Sequence, residues 1–372
     1  MRTIGKWMIC MIVLSVCCLY RGEEVLAKRN KPKDEVEVYL KHVFDKRADV
    51  LVNQKISDLE ADYLTNKVSR NALFNEFRRV KYINTWAAIR AIKLIDADSE
   101  IRIVRTKVTD ETAVVSIVQS LKISYDYLNE IVPVQSFGIG TRHFITLKKS
   151  EGEWKIAREW YLDPLDENPD KIAETKTGVA PSVKTKVDWD GGKKFNRKQA
   201  VAYANKYAGL AWGAGNNRRY NQYYLDYTSR GGDCTNFASQ VIGDKKGGGL
   251  PMTSNWRYGK HSGGTQYWVR TDSFSYFLTR SGYGKLVGKG DFQHIVEPTK
   301  EHPQGAIARL LPGDLVGYII DGNDVDHFSV IVGFDDYGYP LVNSHTADRY
   351  RVPFDLGWDR YTKYVLIHIN DE

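Results

Sequence analysis

The sequence predicts an α+β fold in each of two successive halves. Residues 36–95 carry apolar positions at helical spacing and contain no Gly or Pro. Residues 100–161 then alternate with the two-residue period of strands. From Phe195 onward, short helical stretches again precede a run of strands. Helices followed by strands, without regular βα alternation, mark α+β domains.

In chain order, residues 1–27 read as an export signal. Arg2 and Lys6 form a basic start, Trp7 to Tyr20 is apolar, and Val25-Leu26-Ala27 offers a cleavage site. The apolar run is short for a membrane span; a retained anchor is the alternative. Residues 28–162 form the first domain. Val38, Leu40, Val43, Val50, Leu51, Phe74, Phe77, Trp86 and Ile89 supply its helical part. Strands are expected over 100–127 with a turn at Thr109-Asp110-Glu111, then over 138–147 and 154–161 with a turn at Ser150-Glu151-Gly152. This layout is similar in shape to the NTF2-like cone of helices and curved sheet. His42 and His143 stand alone in sequence and read as surface or packing residues, so the first domain shows no chemical constellation. Residues 163–194, rich in Pro, Asp, Lys, Thr and Gly, read as a linker.

The second domain spans 195–372. Asn196 and Gln199 stand in capping-box relation before an Ala-rich helix to about Leu210. Residues 231–242 read as a glycine turn entering a helix, with Asp233 as its N-cap and Cys234 at its first position. Further strands are expected at Pro312–Tyr318, Asp326–Phe334, Pro340–Ser344 and Tyr361–Ile369, with a hairpin turn at Asp335–Gly338.

Cys10, Cys17 and Cys18 fall inside the export segment, so Cys234 is the only cysteine beyond it. A solitary thiol in an exported chain forms no internal disulfide and points to reactivity. Each half must then rest on its own apolar core. The field of a helix N-terminus favours thiolate over thiol, which suits a nucleophile for acyl transfer. His327, at the mouth of an apolar strand, is the candidate base. Asn343, on the neighbouring hairpin strand, is the candidate orienter of that imidazole, with His345 second and Asp348 third. The oxyanion donors would be the Cys234 N–H with a side chain just upstream, Tyr224, Tyr227 or Thr228, while Asp233 positions the loop. Trp256, Tyr258 and Trp268, in a Gly-rich stretch, either line a substrate groove or cap the core. His261, His294 and His302 lack metal-ligand spacing, so neither metal nor cofactor is expected. Net charge is +7; it suits an anionic envelope surface, and no basic-aromatic motif in the sequence argues for nucleic acid.

Gly-Gly-Asp-Cys-Thr-Asn-Phe-Ala-Ser-Gln at 231–240 resembles the cysteine motif of the bacterial "putative amidase domain" family. Ala-Tyr-Ala-Asn-Lys-Tyr-Ala at 202–208, Asp326-His327-Phe328-Ser329-Val330 and Asn343-Ser344-His345-Thr346 look like its first helix and two of its strands. The resemblance covers residues 195–370 and implies a papain-like fold, with the nucleophile helix packed on an antiparallel sheet, similar to CHAP-type cell-wall peptidases. The glutamine that papain-type enzymes carry six residues before the cysteine is Thr228 here, so that oxyanion donor does not carry over. The implied activity is a cofactor-free cysteine amidohydrolase, secreted or cell-wall associated, acting on peptidoglycan or a related peptide. The alternatives are a transglutaminase-like acyl transferase and a non-catalytic wall- or partner-binding module.

Overall fold

The computed structural model describes residues 32–165, 167–176, 181–183, 189 and 192–372. The segment read as an export signal lies outside them. Helix α1 covers residues 32–53 and α2 Lys67–Ile89, separated by a 3-10 turn at Ile56–Asp62. Asn66 caps α2, its Oδ1 accepting from the N–H groups of Val68 and Ser69 at 3.1 Å. Helical structure stops earlier than the periodicity suggests. Ala91 takes a φ of +55° and the chain enters β1 at Ile92. Strands β1 (Ile92–Val108), β2 (Thr112–Tyr127), β3 (Gln135–Ser150) and β4 (Glu153–Tyr161) form an antiparallel meander.

The C-terminal part adds helices α3 (Arg197–Lys206), α4 (Cys234–Gly243), α5 (Gln266–Val269), α6 (Thr271–Arg280) and α7 (Phe292–Val296). Beyond a small hairpin of β5 (Tyr258–Gly259) and β6 (Gly263–Gly264), its strands are β7 (Gly284–Asp291), β8 (Leu315–Ile319), β9 (His327–Phe334), β10 (Pro340–Ser344), β11 (Asp348–Pro353) and β12 (Lys363–Ile369). Both halves are thus mixed α+β, sheet-rich toward the C-terminus.

Among the described residues the large strands make one sheet, in the order β1-β2-β3-β11-β10-β9-β8-β12-β7, with β4 beside β3. One edge of β3 is shared. Residues 143–150 pair with β4, and Gly138–Gly140 pair with Asp348–Tyr350 of β11. The absence of Cβ atoms lets a second segment approach there: a Cβ on Gly138 would stand 2.0 Å from the Trp212 carbonyl oxygen, and one on Gly140 2.5 Å from the Ala211 nitrogen.

The expectation of a separate core for each half is corrected. One apolar cluster joins Tyr82, Ile83 and Trp86 of α2 to Ile331, Val342, Phe354 and Tyr364 of the C-terminal part. Buried Asp355 anchors the join. It accepts from Arg90 at 2.7 Å, Trp86 Nε1 at 3.1 Å and the Tyr339 hydroxyl at 2.5 Å. The second cluster lies on the opposite face of the C-terminal strands. There Phe237 and Val241 of α4 pack with Phe328 and Val330 of β9, Trp256, Trp268 and Phe274. Alternation along β9 therefore sends Phe328 toward α4 and His327 toward the α2 side.

Candidate functional site

The loop before α4 is built as its glycines imply. Gly231 and Gly232 hold φ values of +103° and +120°, open to glycine without strain. Cys234 is the first residue of α4. Asp233 does not act as the expected side-chain cap. Its Oδ1 instead accepts from the Tyr227 N–H at 2.8 Å and Asn236 Nδ2 at 2.9 Å, while its own N–H donates to Thr346 Oγ1 at 2.7 Å. The carboxylate thus ties the incoming loop to the helix and to the end of β10.

Its second oxygen, Oδ2, lies 2.6 Å from His345 Nδ1, and the other ring nitrogen of His345 lies 2.6 Å from the Tyr207 carbonyl. Both ring nitrogens are thus engaged with oxygen partners. The ring is sandwiched between Tyr220 (centroids 3.7 Å apart) and Phe237 (4.0 Å). Tyr220 in turn donates to Asp348 at 2.5 Å, and Asp348 also accepts from the Leu210 N–H at 2.8 Å. His345 and Asp348 are therefore engaged in holding the nucleophile loop, and neither contacts His327.

Cys234 is buried and free. Burial pushes its thiol up from the ordinary value, opposed in part by the Phe328 backbone N–H and by Thr235. The expected lowering by the helix terminus is thus outweighed by desolvation. His327 opens β9 opposite Tyr318. Its ring packs against Tyr318 (5.8 Å) and Trp358 (5.6 Å), and its Nε2 has no hydrogen-bond partner. Burial, and then the nearby Arg349 cation, push its pKa down to about 3. The ring is therefore neutral at pH 7 and, in this buried setting, a weak base. No hydrogen bond joins it to Cys234, and alternation along β9 sets the ring on the face away from α4.

Asn343 does not reach His327. The β9–β10 register sets it opposite Val330, with a bulge between Leu341 and Val342. Its Nδ2 donates to Asn205 at 3.0 Å and its Oδ1 accepts from the Arg351 N–H at 2.7 Å, so both ends of the amide are occupied. Tyr224 is likewise committed, donating to Asp244 at 2.6 Å within the aromatic core. Thr228 Oγ1 is buried without a partner. The groove reading of the aromatics is corrected to core capping. Trp256 and Trp268 are fully buried and Tyr258 nearly so. Trp256 Nε1 donates to Ser239 at 3.1 Å, Trp268 Nε1 donates to Asn236 at 2.9 Å, and the Tyr258 hydroxyl accepts from the Leu225 N–H at 2.8 Å. Asn236 and Ser239 were not singled out from sequence. The spacing of Asn236 one helical turn after Asp233 was the available signal.

The first domain also differs from expectation, because His143 is buried in a polar cluster. It contacts Glu159 at 2.8 Å and Thr141 at 2.7 Å; Arg47 pairs with the same Glu159, and Tyr161 donates to Glu76 at 2.7 Å. Burial is the largest influence on His143 and holds its pKa below the ordinary value.

Compared with known proteins, residues 194–368 match the model of the family described as "Putative amidase domain". The C-terminal region thus carries an amidase-type domain, consistent with amide-bond cleavage. No curated protein matches the chain. Among solved structures, the intermembrane space region of the chloroplast protein ARC6 is similar at 13% identity, covering 34% of this chain and 93% of that one with a TM-score of 0.24. A "Putative Scytalone Dehydratase" from Novosphingobium aromaticivorans is similar at 16% identity, covering 36% and 86% with a TM-score of 0.25.

Proposed function

We propose that the C-terminal half is a cysteine amidohydrolase of papain-like arrangement, with Cys234 as nucleophile and His327 as its base. The observation that carries this is the placement of Cys234 at the first residue of α4, the helix whose Phe237 and Val241 pack on Phe328 and Val330 of the strand that His327 opens. His327 itself lies on the other face of that strand, so its ring must be turned to the α4 face before it meets the sulfur. His327 Nε2 is neutral and unpartnered. Once rearrangement of the β9 mouth brings the ring out of its dry site to the sulfur, where its basicity recovers, it takes the thiol proton, and the thiolate attacks the amide carbon. The imidazolium then gives that proton to the departing amine. Water, deprotonated by the same ring, finally releases the acyl group as a carboxylate. The Cys234 N–H, with the unpartnered Thr228 hydroxyl, supplies oxyanion donors. Asp233 and His345 hold the loop. With residues 1–27 read as an export signal, the substrate class we favour is an envelope amide, a peptidoglycan stem peptide or the bond that joins it to the glycan.

The raised thiol and the packed His327 ring favour one second reading, a non-catalytic binding module. Two measurements separate them. Iodoacetamide labelling near neutral pH should mark Cys234 in the native protein and slow at least tenfold in His327→Ala. Incubation with purified peptidoglycan should release new amino and carboxyl groups, and Cys234→Ala should abolish that release. Equal, slow labelling in both proteins, with no release, would leave only the binding module. Added amine carried into the product in place of water would instead indicate acyl transfer.

A further inference from the structure

The outer face of the N-terminal meander has a composition invisible along the chain, because each strand contributes only alternate residues. Cross-strand register assembles three adjacent rows. The first is Lys107, Val114, Thr146 and Arg158; the second is Arg105, Ser116, Phe144 and Trp160; the third is Arg102, Val118 and Arg142. Lys148 and Lys155 continue the face past the first row. None of these positions is acidic. The acids of the face lie at its two ends, Glu153 opposite Ser150 past the lysines and Glu100 and Asp98 beyond the third row, opposite Ser120 and Lys122.

At the centre of the basic rows lies an exposed apolar patch. Val114 is 56%, Phe144 54% and Trp160 61% exposed. The Phe144 and Trp160 rings lie 5.8 Å apart at 35°. Exposed aromatic surface rimmed by charge marks an interaction site more often than a chance of composition. We propose that this face binds an acidic polysaccharide. The backbone groups of β2 and β3 at the centre of the patch are used in the ladder on both sides, so recognition there falls to side chains. An open pair of exposed rings suits the apolar faces of sugar rings. Cations on both flanks suit carboxylates or sulfates spaced along an extended chain.

The far end of the face is closed by the C-terminal half. Ser120 Oγ donates to the Leu210 carbonyl at 2.6 Å, and Arg142 bonds Asp348 at 3.3 Å while lying over the Tyr220 ring at 5.3 Å. A polymer seated along the rows therefore ends against the Tyr220–His345 stack that holds the Cys234 loop. Binding at this face does not depend on the chemistry assigned to Cys234.

The test is affinity electrophoresis of the full chain in gels containing polygalacturonate, dextran, poly-L-glutamate or single-stranded DNA. It is run on wild type, Phe144→Ala/Trp160→Ala, Arg105→Glu/Arg158→Glu, and a remote control, Lys289→Glu on β7. Circular dichroism checks that each variant is folded. Polygalacturonate should retard wild type and the control, dextran should not, and both double variants should lose at least tenfold in apparent affinity. Retardation should fall as salt rises. Unchanged polygalacturonate binding in either double variant would overturn the proposal. So would poly-L-glutamate binding as tight as polygalacturonate, or DNA binding tighter than it.

Discussion

Replacing His327 by Phe should flatten the acid limb of the stability profile. The His327 ring titrates at about 3 in the fold against an ordinary 6.5. Between those values the unfolded chain binds more protons than the native one, so stability falls as pH drops below 6.5. Linkage gives a loss of about 2 kcal/mol between pH 7.5 and 5, rising to about 5 kcal/mol once both states are protonated. His143, whose pKa is also lowered by burial, adds to the acid loss in the same direction but is untouched by the substitution. Phe keeps an aromatic ring between Tyr318 and Trp358 while removing the titrating nitrogen. Urea unfolding at pH 7.5 and pH 5 should therefore show the wild type losing about 2 kcal/mol more than His327→Phe over the interval. Parallel losses in the two proteins would mean that His327 is hydrated or already charged in the fold. The dry, neutral setting described for the ring would then be gone.

Asp355→Ala should cost about 3–5 kcal/mol, measured by urea unfolding, because it leaves Arg90 buried without its carboxylate. His345→Asn should destabilise by about 2–4 kcal/mol through the stranded Asp233 carboxylate. It should also increase proteolysis between Tyr220 and Gly232, since the loop loses its latch. Gly138→Ala should cost about 3 kcal/mol or more in thermal unfolding, because the new methyl collides with main chain at Trp212, which no rotamer change can relieve. Phe144→Ala, by contrast, should shift stability by no more than about 0.5 kcal/mol, as expected for an exposed ring.

The parts legible in the sequence were those whose local pattern and tertiary role coincide. Helix α4 announces itself through Gly231-Gly232 and the spacing of Phe237, Val241 and Ile242, and β9 through its β-branched run. Strand β11 was missed because Asp348-Arg349-Tyr350-Arg351 is polar. Its charges are satisfied by Leu210, Tyr220 and the Leu356 carbonyl, partners far off or around a turn. Strand β7, with its lysines and glycines, lacked the usual residues because it is an edge. In the site, chain order identified Cys234, His327 and His345 as chemically notable but could not assign partners. Whether an imidazole meets a carboxylate as well as aromatic rings, as His345 does, or rings without a carboxylate, as His327 does, depends on which distant segments folding brings beside it. The basic-aromatic face of the meander was likewise hidden, because its residues are dispersed over four strands.

The shared margin of β3 makes the molecule hard to divide. A fragment beginning at Phe195 would keep the amidase-type segment but leave Asp348–Tyr350 with unsatisfied main-chain groups and strip Tyr82 and Trp86 from behind Phe354. A raw strand margin beside a bare aromatic surface is what drives chains to stick to one another. Such a fragment should be recovered as aggregate, which makes the helices and meander ahead of it a structural prerequisite for whatever chemistry Cys234 performs.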